Sequence, residues 1–176
     1  MTAIPLERFR DLSDIPEQGY ETDIAPGPEE LKRLAEWSGV DEVSRLHGHI
    51  KVRPQSRTTY LLETEFDADI VQSCVVTLEP VKSRIARSFA RTLHFTPGLN
   101  RYADKGGLVT SESVDEDAPD EIDSLRYDLA GPLREEFALA IDPYPRAPGV
   151  EFESPEDSGD REEGPFAVLE KFRSSH

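Results

Sequence analysis

A long alternation of apolar and polar residues between positions 43 and 66 most constrains the fold of this chain. One face of residues 43–52 holds Leu46, Gly48, Ile50 and Val52, and in residues 58–66 the alternate positions are Tyr60, Leu62, Thr64 and Phe66. A repeat of two residues is typical of a β-strand with one buried face. Because the turn-forming residues 54–57 separate the two stretches, the sequence predicts an antiparallel pair of strands.

Further strands are predicted on both sides of this pair. Residues 6–12 and 19–25 have the pattern of two short strands, and residues 70–78 that of a third strand of the meander. In residues 81–95 an apolar side chain recurs every four positions, which suits either a helix face or alternate inward positions of a strand. The end of that segment, before Thr96 and Pro97, favours a strand.

Three segments have the apolar spacing of helices, namely residues 28–38, 129–141 and 165–173. The first has Pro28 in its first turn and Gly39 just after its end, and both are typical positions for these residues. The last is so short that it must pack on the rest of the protein to be stable.

The fold class predicted from these elements is α+β. We expect a largely antiparallel sheet, curled toward a barrel or sandwich, with about three helices. Hydrophobic residues are only 36% of the chain, which predicts one compact core and additional acidic segments. The chain of 176 residues fits one domain, residues 1–176. Residues 98–124 and 151–163 are expected to be flexible, because closely spaced like charges repel.

The charge of the chain is strongly negative and unevenly distributed. A net charge of −16 opposes direct binding to a polyanion, because nucleic-acid affinity comes largely from cations that neutralise phosphates. Six cations nevertheless form a basic island. They are Lys82, Arg84, Arg87, Arg91, Arg101 and Lys105. These side chains either contact RNA or neutralise the protein's own acidic segments, and the sequence leaves both interpretations open.

Composition and termini predict a cytoplasmic protein with no membrane segment. The single cysteine excludes an internal disulfide and fits a reducing compartment. No signal-peptide pattern and no apolar run of about 20 residues is present.

No catalytic motif is visible, so no catalytic residue, cofactor or small-molecule substrate is predicted. The chain has neither phosphate-binding glycine fingerprint nor the G-x-S-x-G nucleophile pattern. A hydrolase with an unrecognised site is an alternative without a supporting motif.

Three stretches carry a family resemblance. They are residues 72–81 (QSCVVTLEPV), residues 142–149 (DPYPRAPG) and residues 164–172 (GPFAVLEKF). With the N-terminal region, they resemble the YceD family, the large ribosomal RNA subunit accumulation proteins, in the form typical of alphaproteobacteria. The resemblance also favours a strand for residues 81–95. It implies a non-enzymatic factor that supports large-subunit (23S) ribosomal RNA accumulation and ribosome assembly.

One position departs from the pattern that the resemblance implies. Many family members have a Cys-x-x-Cys pair where this chain has Cys74 and Thr77, and a second cysteine pair after the later helix. One cysteine cannot form a tetrahedral zinc site, so no metal is predicted. Cys74 is expected to be a small buried side chain on a strand.

Two binding mechanisms remain open. In the first, the acidic protein binds a basic ribosomal or assembly protein, with Asp142, Tyr144 and Arg146 as candidate contacts. Prolines stiffen this loop, and tyrosine and arginine are enriched at binding hot spots. In the second, the basic island contacts large-subunit ribosomal RNA directly. The overall charge favours the first mechanism.

Overall fold

The computed structural model of the chain describes residues 4–98 and 118–150. Within these ranges lie seven strands, two α-helices and one 3-10 turn, at Leu12–Asp14. In chain order the elements are β1 (Phe9–Asp11), β2 (Tyr20–Ile24), α1 (Pro28–Ser38), β3 (Glu42–Pro54), β4 (Thr59–Ser73), β5 (Pro80–Phe95), β6 (Asp120–Ile122), β7 (Arg126–Asp128) and α2 (Gly131–Ala140).

The main sheet has five strands in the order β2-β3-β4-β5-β6. Strands β2 to β5 are antiparallel neighbours, whereas β6 pairs with the end of β5 in parallel. Strands β1 and β7 form a separate two-stranded antiparallel sheet. The long hairpins of β3, β4 and β5 therefore determine the shape of this part of the protein.

One face of the main sheet forms the core. Alternate side chains of β4, among them Leu62, Phe66 and Ile70, are buried in a core cluster that also includes residues of α1 and α2. Helix α2 approaches closely because Gly48 of β3 has no side chain. A Cβ atom at that position would lie 2.5 Å from Leu133 Cδ1.

The opposite face of the main sheet carries alternating charges. Acidic residues lie on β2 and β4, and cationic residues on β3 and β5, so that ion pairs form across the strands. The pairs are Lys51 with Glu21, Arg53 with Glu63, Arg45 with Asp67, and Arg84 with Asp67. This face consequently remains in contact with water without leaving rows of like charge opposite one another.

The predicted curled, barrel-like or sandwich-like sheet is wrong. The five-stranded and two-stranded sheets are both open. Closure would require the last strand to pair with the first, but β6 is only three residues long and lies at the far edge from β2. The described residues hold two α-helices rather than about three. The α+β class itself is retained, and the helix predicted at 165–173 lies outside the described residues.

The predicted third strand of the meander, residues 70–78, is also wrong. Strand β4 continues without a break from Thr59 to Ser73, and residues 74–79 form the turn to β5. The charged residues Asp67 and Asp69 do not interrupt β4, because they lie on the outer face while Ala68 and Ile70 remain buried. The alternation thus extends through the charged positions.

Other predicted elements agree with the structure. Helix α1 has the predicted bounds 28–38, and it ends at Gly39 in the left-handed conformation with φ 77°. Residues 81–95 belong to strand β5. Helix α2 covers 131–140 of the predicted 129–141.

The segments expected to be flexible are described only in part. In residues 98–124, strand β6 occupies Asp120–Ile122 and pairs with Leu93 to Phe95. Residues 99–117 and 151–163 lie outside the described residues.

Candidate partner-binding surface

Two loops that are far apart in sequence meet at one end of the main sheet. We call them the double loop: residues 74–79, between β4 and β5, and residues 142–147, after α2. The Val75 amide donates to the Pro145 carbonyl at 2.9 Å, and Gln72 Nε2 donates to the Asp142 carbonyl at 2.8 Å. These hydrogen bonds fix the two loops relative to each other.

Cys74 lies between the two loops. It is buried, as expected, but it lies just after β4 rather than within a strand. Its Sγ accepts hydrogen bonds from the backbone amides of Thr77, at 3.5 Å, and Ala147, at 3.4 Å. The Thr77 hydroxyl and these amides lower the pKa of the Cys74 thiol to about 6, because donors favour the thiolate. The thiol therefore joins the two loops as a hydrogen-bond acceptor.

The double loop exposes apolar side chains that its neighbours leave uncovered. Leu78 is 77% exposed and Tyr144 is 70% exposed, and Val75 and Val76 are also exposed. Leu78 has φ 60°, a left-handed conformation that is uncommon for residues other than glycine. Strained backbone and exposed apolar groups are both typical of interaction sites.

The second loop is conformationally restricted. Pro143 and Pro145 flank Tyr144, and the Tyr144 amide donates to Asp142 Oδ1 at 2.9 Å in a local turn. The side chains of the three predicted contacts, Asp142, Tyr144 and Arg146, are all exposed. The structure therefore brings them onto one short loop, next to the apolar residues of the first.

The basic island does not form one surface. Lys82 and Arg84 lie on the charged outer face of β5, whereas Arg87 and Arg91 lie on the opposite face with Ile85 and Phe89. Arg84 pairs with Asp67 at 3.3 Å. Arg101 and Lys105 lie outside the described residues.

Arg91 holds helix α2 against the sheet. Its Nη1 donates to Glu135 at 2.7 Å and its Nη2 to Glu136 at 3.1 Å, and Asp120 lies 3.7 Å away. Burial by itself lowers the pKa of Arg91, but the hydrogen bonds to Glu135 and Glu136 outweigh it, and the net pKa is raised. This cation of the basic island is thus bound by the protein's own carboxylates.

The sequence of this chain matches a known protein family. The model of the family described as large ribosomal RNA subunit accumulation protein YceD matches residues 62–173. The chain belongs to the YceD family. No curated protein and no solved structure matched the chain.

The match extends over both halves of the double loop. It begins in β4 and includes residues 74–79 and 142–147. The family description connects these proteins with accumulation of large-subunit ribosomal RNA. No helix within residues 4–98 and 118–150 is long and apolar enough to cross a membrane.

The exposed residues Val75, Val76 and Leu78 were not predicted as site residues. The sequence pattern placed them in a strand, where an apolar side chain is usually buried. Two signals argue against a strand here. The adjacent pair Val75 and Val76 breaks the alternation of β4, and Pro80, which cannot donate a ladder hydrogen bond, marks the start of a new strand.

Proposed function

We propose that this YceD-family protein supports large-subunit ribosomal RNA accumulation without catalysing a reaction. It acts in the cytoplasm by binding a basic ribosomal or assembly protein, and the double loop is its contact surface. The observation that carries this proposal is the exposure of Val75, Val76, Leu78 and Tyr144 on two loops that are hydrogen-bonded to each other.

The rigidity of the double loop supports a binding role. Hydrogen bonds from Val75 and Ala147 connect the loops, Gln72 of β4 binds the second loop to the sheet, and prolines restrict that loop. A surface that is ordered before binding loses little conformational entropy in the complex. Tyr144 supplies a large aromatic group of a type enriched at hot spots.

The charge supports a basic partner. The whole chain has a net charge of −16, and the double loop itself holds two acidic residues, Glu79 and Asp142, against one cation, Arg146. A negative field attracts a basic protein over several ångströms and repels nucleic-acid phosphates. The apolar side chains then supply the short-range contact.

The direct RNA-binding alternative has less support. Arg91 is bound by Glu135 and Glu136, and Arg84 pairs with Asp67. These contacts favour the interpretation that the basic island neutralises the protein's own carboxylates.

The proposal is tested by affinity capture from cells that carry the tagged protein. Leu78→Asp combined with Tyr144→Ala should remove most of the captured basic protein, because each change can cost about 1–2 kcal/mol at a hot spot. Leu139→Asp is the matched control, since Leu139 is 78% exposed but lies on α2, outside the double loop. The control should capture the same proteins as the unmodified chain.

A second set of variants distinguishes protein from RNA contact. Charge reversal at Lys82, Arg84 and Arg87 should leave the capture of a basic protein intact. Arg91 is not substituted, because its hydrogen bonds hold α2 against the sheet. Loss of captured ribosomal RNA in this triple variant, together with unchanged capture in the double-loop variant, would contradict the proposal.

A further inference from the structure

Among residues 4–98 and 118–150, no strand pairs with most of the outer edge of β5. The strand begins at Pro80, but β6 pairs only with Leu93 to Phe95. Residues 80–92 therefore have a strand neighbour on one side, β4, and none on the other among the described residues. A free edge of this length is a template for another extended chain.

The direction of the backbone groups along this edge follows from the register. The Phe95 amide donates to the Thr58 carbonyl at 2.7 Å, so residue 95 faces β4. The pairing of β4 with β5 has no register shift, and backbone groups alternate in direction along a strand. The residues whose amide and carbonyl groups point away from β4 are consequently Lys82, Arg84, Ala86, Ser88, Ala90 and Thr92.

The outer face of this edge carries two cations, followed along the strand by residues with small side chains. Lys82 and Arg84 come first, and Arg84 remains exposed while it pairs with Asp67. Ala86, Ser88 and Ala90 follow, and their small side chains leave room for a neighbouring strand. Side chains directly across a strand pair favour opposite charges. A segment pairing here would thus place acidic side chains opposite the two cations.

The inner face of this edge is more apolar than its outer face. Val81 and Phe89 are partly exposed there, and Ile85 is buried. Arg87 lies between them, and its Nη1 donates to the Ala86 carbonyl at 3.1 Å, one of the groups that point off the edge. That carbonyl therefore already accepts a hydrogen bond from a side chain of β5 itself.

We infer that the β5 edge binds an extended segment of a partner polypeptide by strand addition. The segment alternates acidic residues, opposite Lys82 and Arg84, with apolar residues beside Ile85 and Phe89. This site goes beyond the proposed function, because its ligand is acidic and extended and its main contacts are backbone hydrogen bonds. Parallel pairing with a second copy of β5 is disfavoured, since it would place the same cations side by side. RNA lacks the alternating amide and carbonyl groups of such a ladder.

The first test is residue-resolved amide hydrogen exchange on the full chain. The amides of Arg84, Ala86, Ser88 and Ala90 should exchange at least 100-fold faster than those of Ile85, Arg87 and Phe89, which donate to β4. Equal protection of both sets would show that the edge is already covered, and it would overturn the inference.

The second test uses a synthetic (Glu-Val)5 peptide as the probe. Its addition should slow exchange at Arg84, Ala86 and Ser88, whereas (Lys-Val)5 and a peptide of the same composition without alternation should have no effect. Lys82→Glu with Arg84→Glu should weaken binding of the probe at least tenfold. Unchanged affinity in this double variant would contradict the site.

A pair of substitutions at one position tests the backbone contact. Ser88→Pro removes one outward amide without removing a hydrogen bond to β4, whereas Ser88→Val keeps that amide. The proline variant should bind the probe at least tenfold more weakly than the valine variant, with the odd-numbered amides of β5 protected equally in both. Equal binding by the two variants would show that strand addition does not occur.

Discussion

At the scale of single residues, Cys74 connects the two parts of the candidate site. The sequence offers no basic neighbour that would stabilise its thiolate, yet the structure supplies backbone amides and the Thr77 hydroxyl as donors. The Ala147 donor lies 73 positions away in sequence. Burial of Cys74 was therefore predictable, but its hydrogen bonds were not.

Thr77→Val should raise the pKa of Cys74 from about 6 toward its ordinary value of 9.0, because the hydroxyl is the strongest of the donors. Because the pKa of Cys74 is lower in the folded protein than its ordinary value of 9.0, ionisation of the thiol stabilises the fold. This contribution is fully present above the ordinary pKa and is lost as the pH falls through about 6. The thiolate absorbance at 240 nm, titrated in the folded protein, measures this pKa directly because the chain has one cysteine. Identical titration curves for both proteins would refute the prediction.

Gly48→Ala should lower the free energy of unfolding by about 1–2 kcal/mol, since overpacking a filled core is destabilising. The new Cβ atom would lie 2.5 Å from Leu133 Cδ1, and Leu133 is fully buried. Gly131→Ala is the control, because a Cβ atom there would make only ordinary contacts, the nearest at 3.7 Å from Asp128 Oδ2. Urea unfolding of both variants checks this, and an equally small effect in both would mean that α2 does not need the glycine.

At the scale of elements, the sequence predicted those that depend on local residues better than those that depend on pairing between strands. Helix α1 was predictable because Pro28, the acidic first turn and Gly39 all lie within twelve residues. The continuity of β4 was not, since its outer face carries Asp67 and Asp69, which the cations of neighbouring strands accommodate. Neighbouring strands determine whether a charged position belongs to a strand or to a turn.

Asp128 of β7 binds α2 and the residue before β1. Asp128→Ala should therefore lower the free energy of unfolding by about 3 kcal/mol, the usual cost of removing one partner of a largely buried ion pair. Its carboxylate accepts hydrogen bonds from Arg134 at 2.7 Å, the Arg8 amide at 2.7 Å and the Ala130 amide at 3.2 Å. Asp14→Ala, an exposed aspartate, is the control and should change stability little. Chemical denaturation of the two variants measures the difference, and comparable effects would contradict a structural role for Asp128.

At the scale of the whole molecule, the sequence predicted the α+β class and the hairpin of β3 and β4, but not the third strand of the meander or the open sheet. Closure depends on which strand lies beside β5, and the short β6 comes from a distant part of the chain. The candidate site likewise depends on contacts between distant parts of the chain. Asp142, Tyr144 and Arg146 were predicted as contacts, but the hydrogen bonds between their loop and residues 74–79 join parts of the chain that are far apart in sequence.

The central claim is that the double loop is the surface through which this YceD-family protein supports ribosomal RNA accumulation. The most direct test is the ratio of large-subunit to small-subunit ribosomal RNA in cells that lack the protein and carry either the unmodified chain or a variant. The unmodified chain and Leu139→Asp should restore the ratio, whereas Leu78→Asp with Tyr144→Ala should not, at equal protein levels. Full restoration by the double-loop variant would contradict the claim.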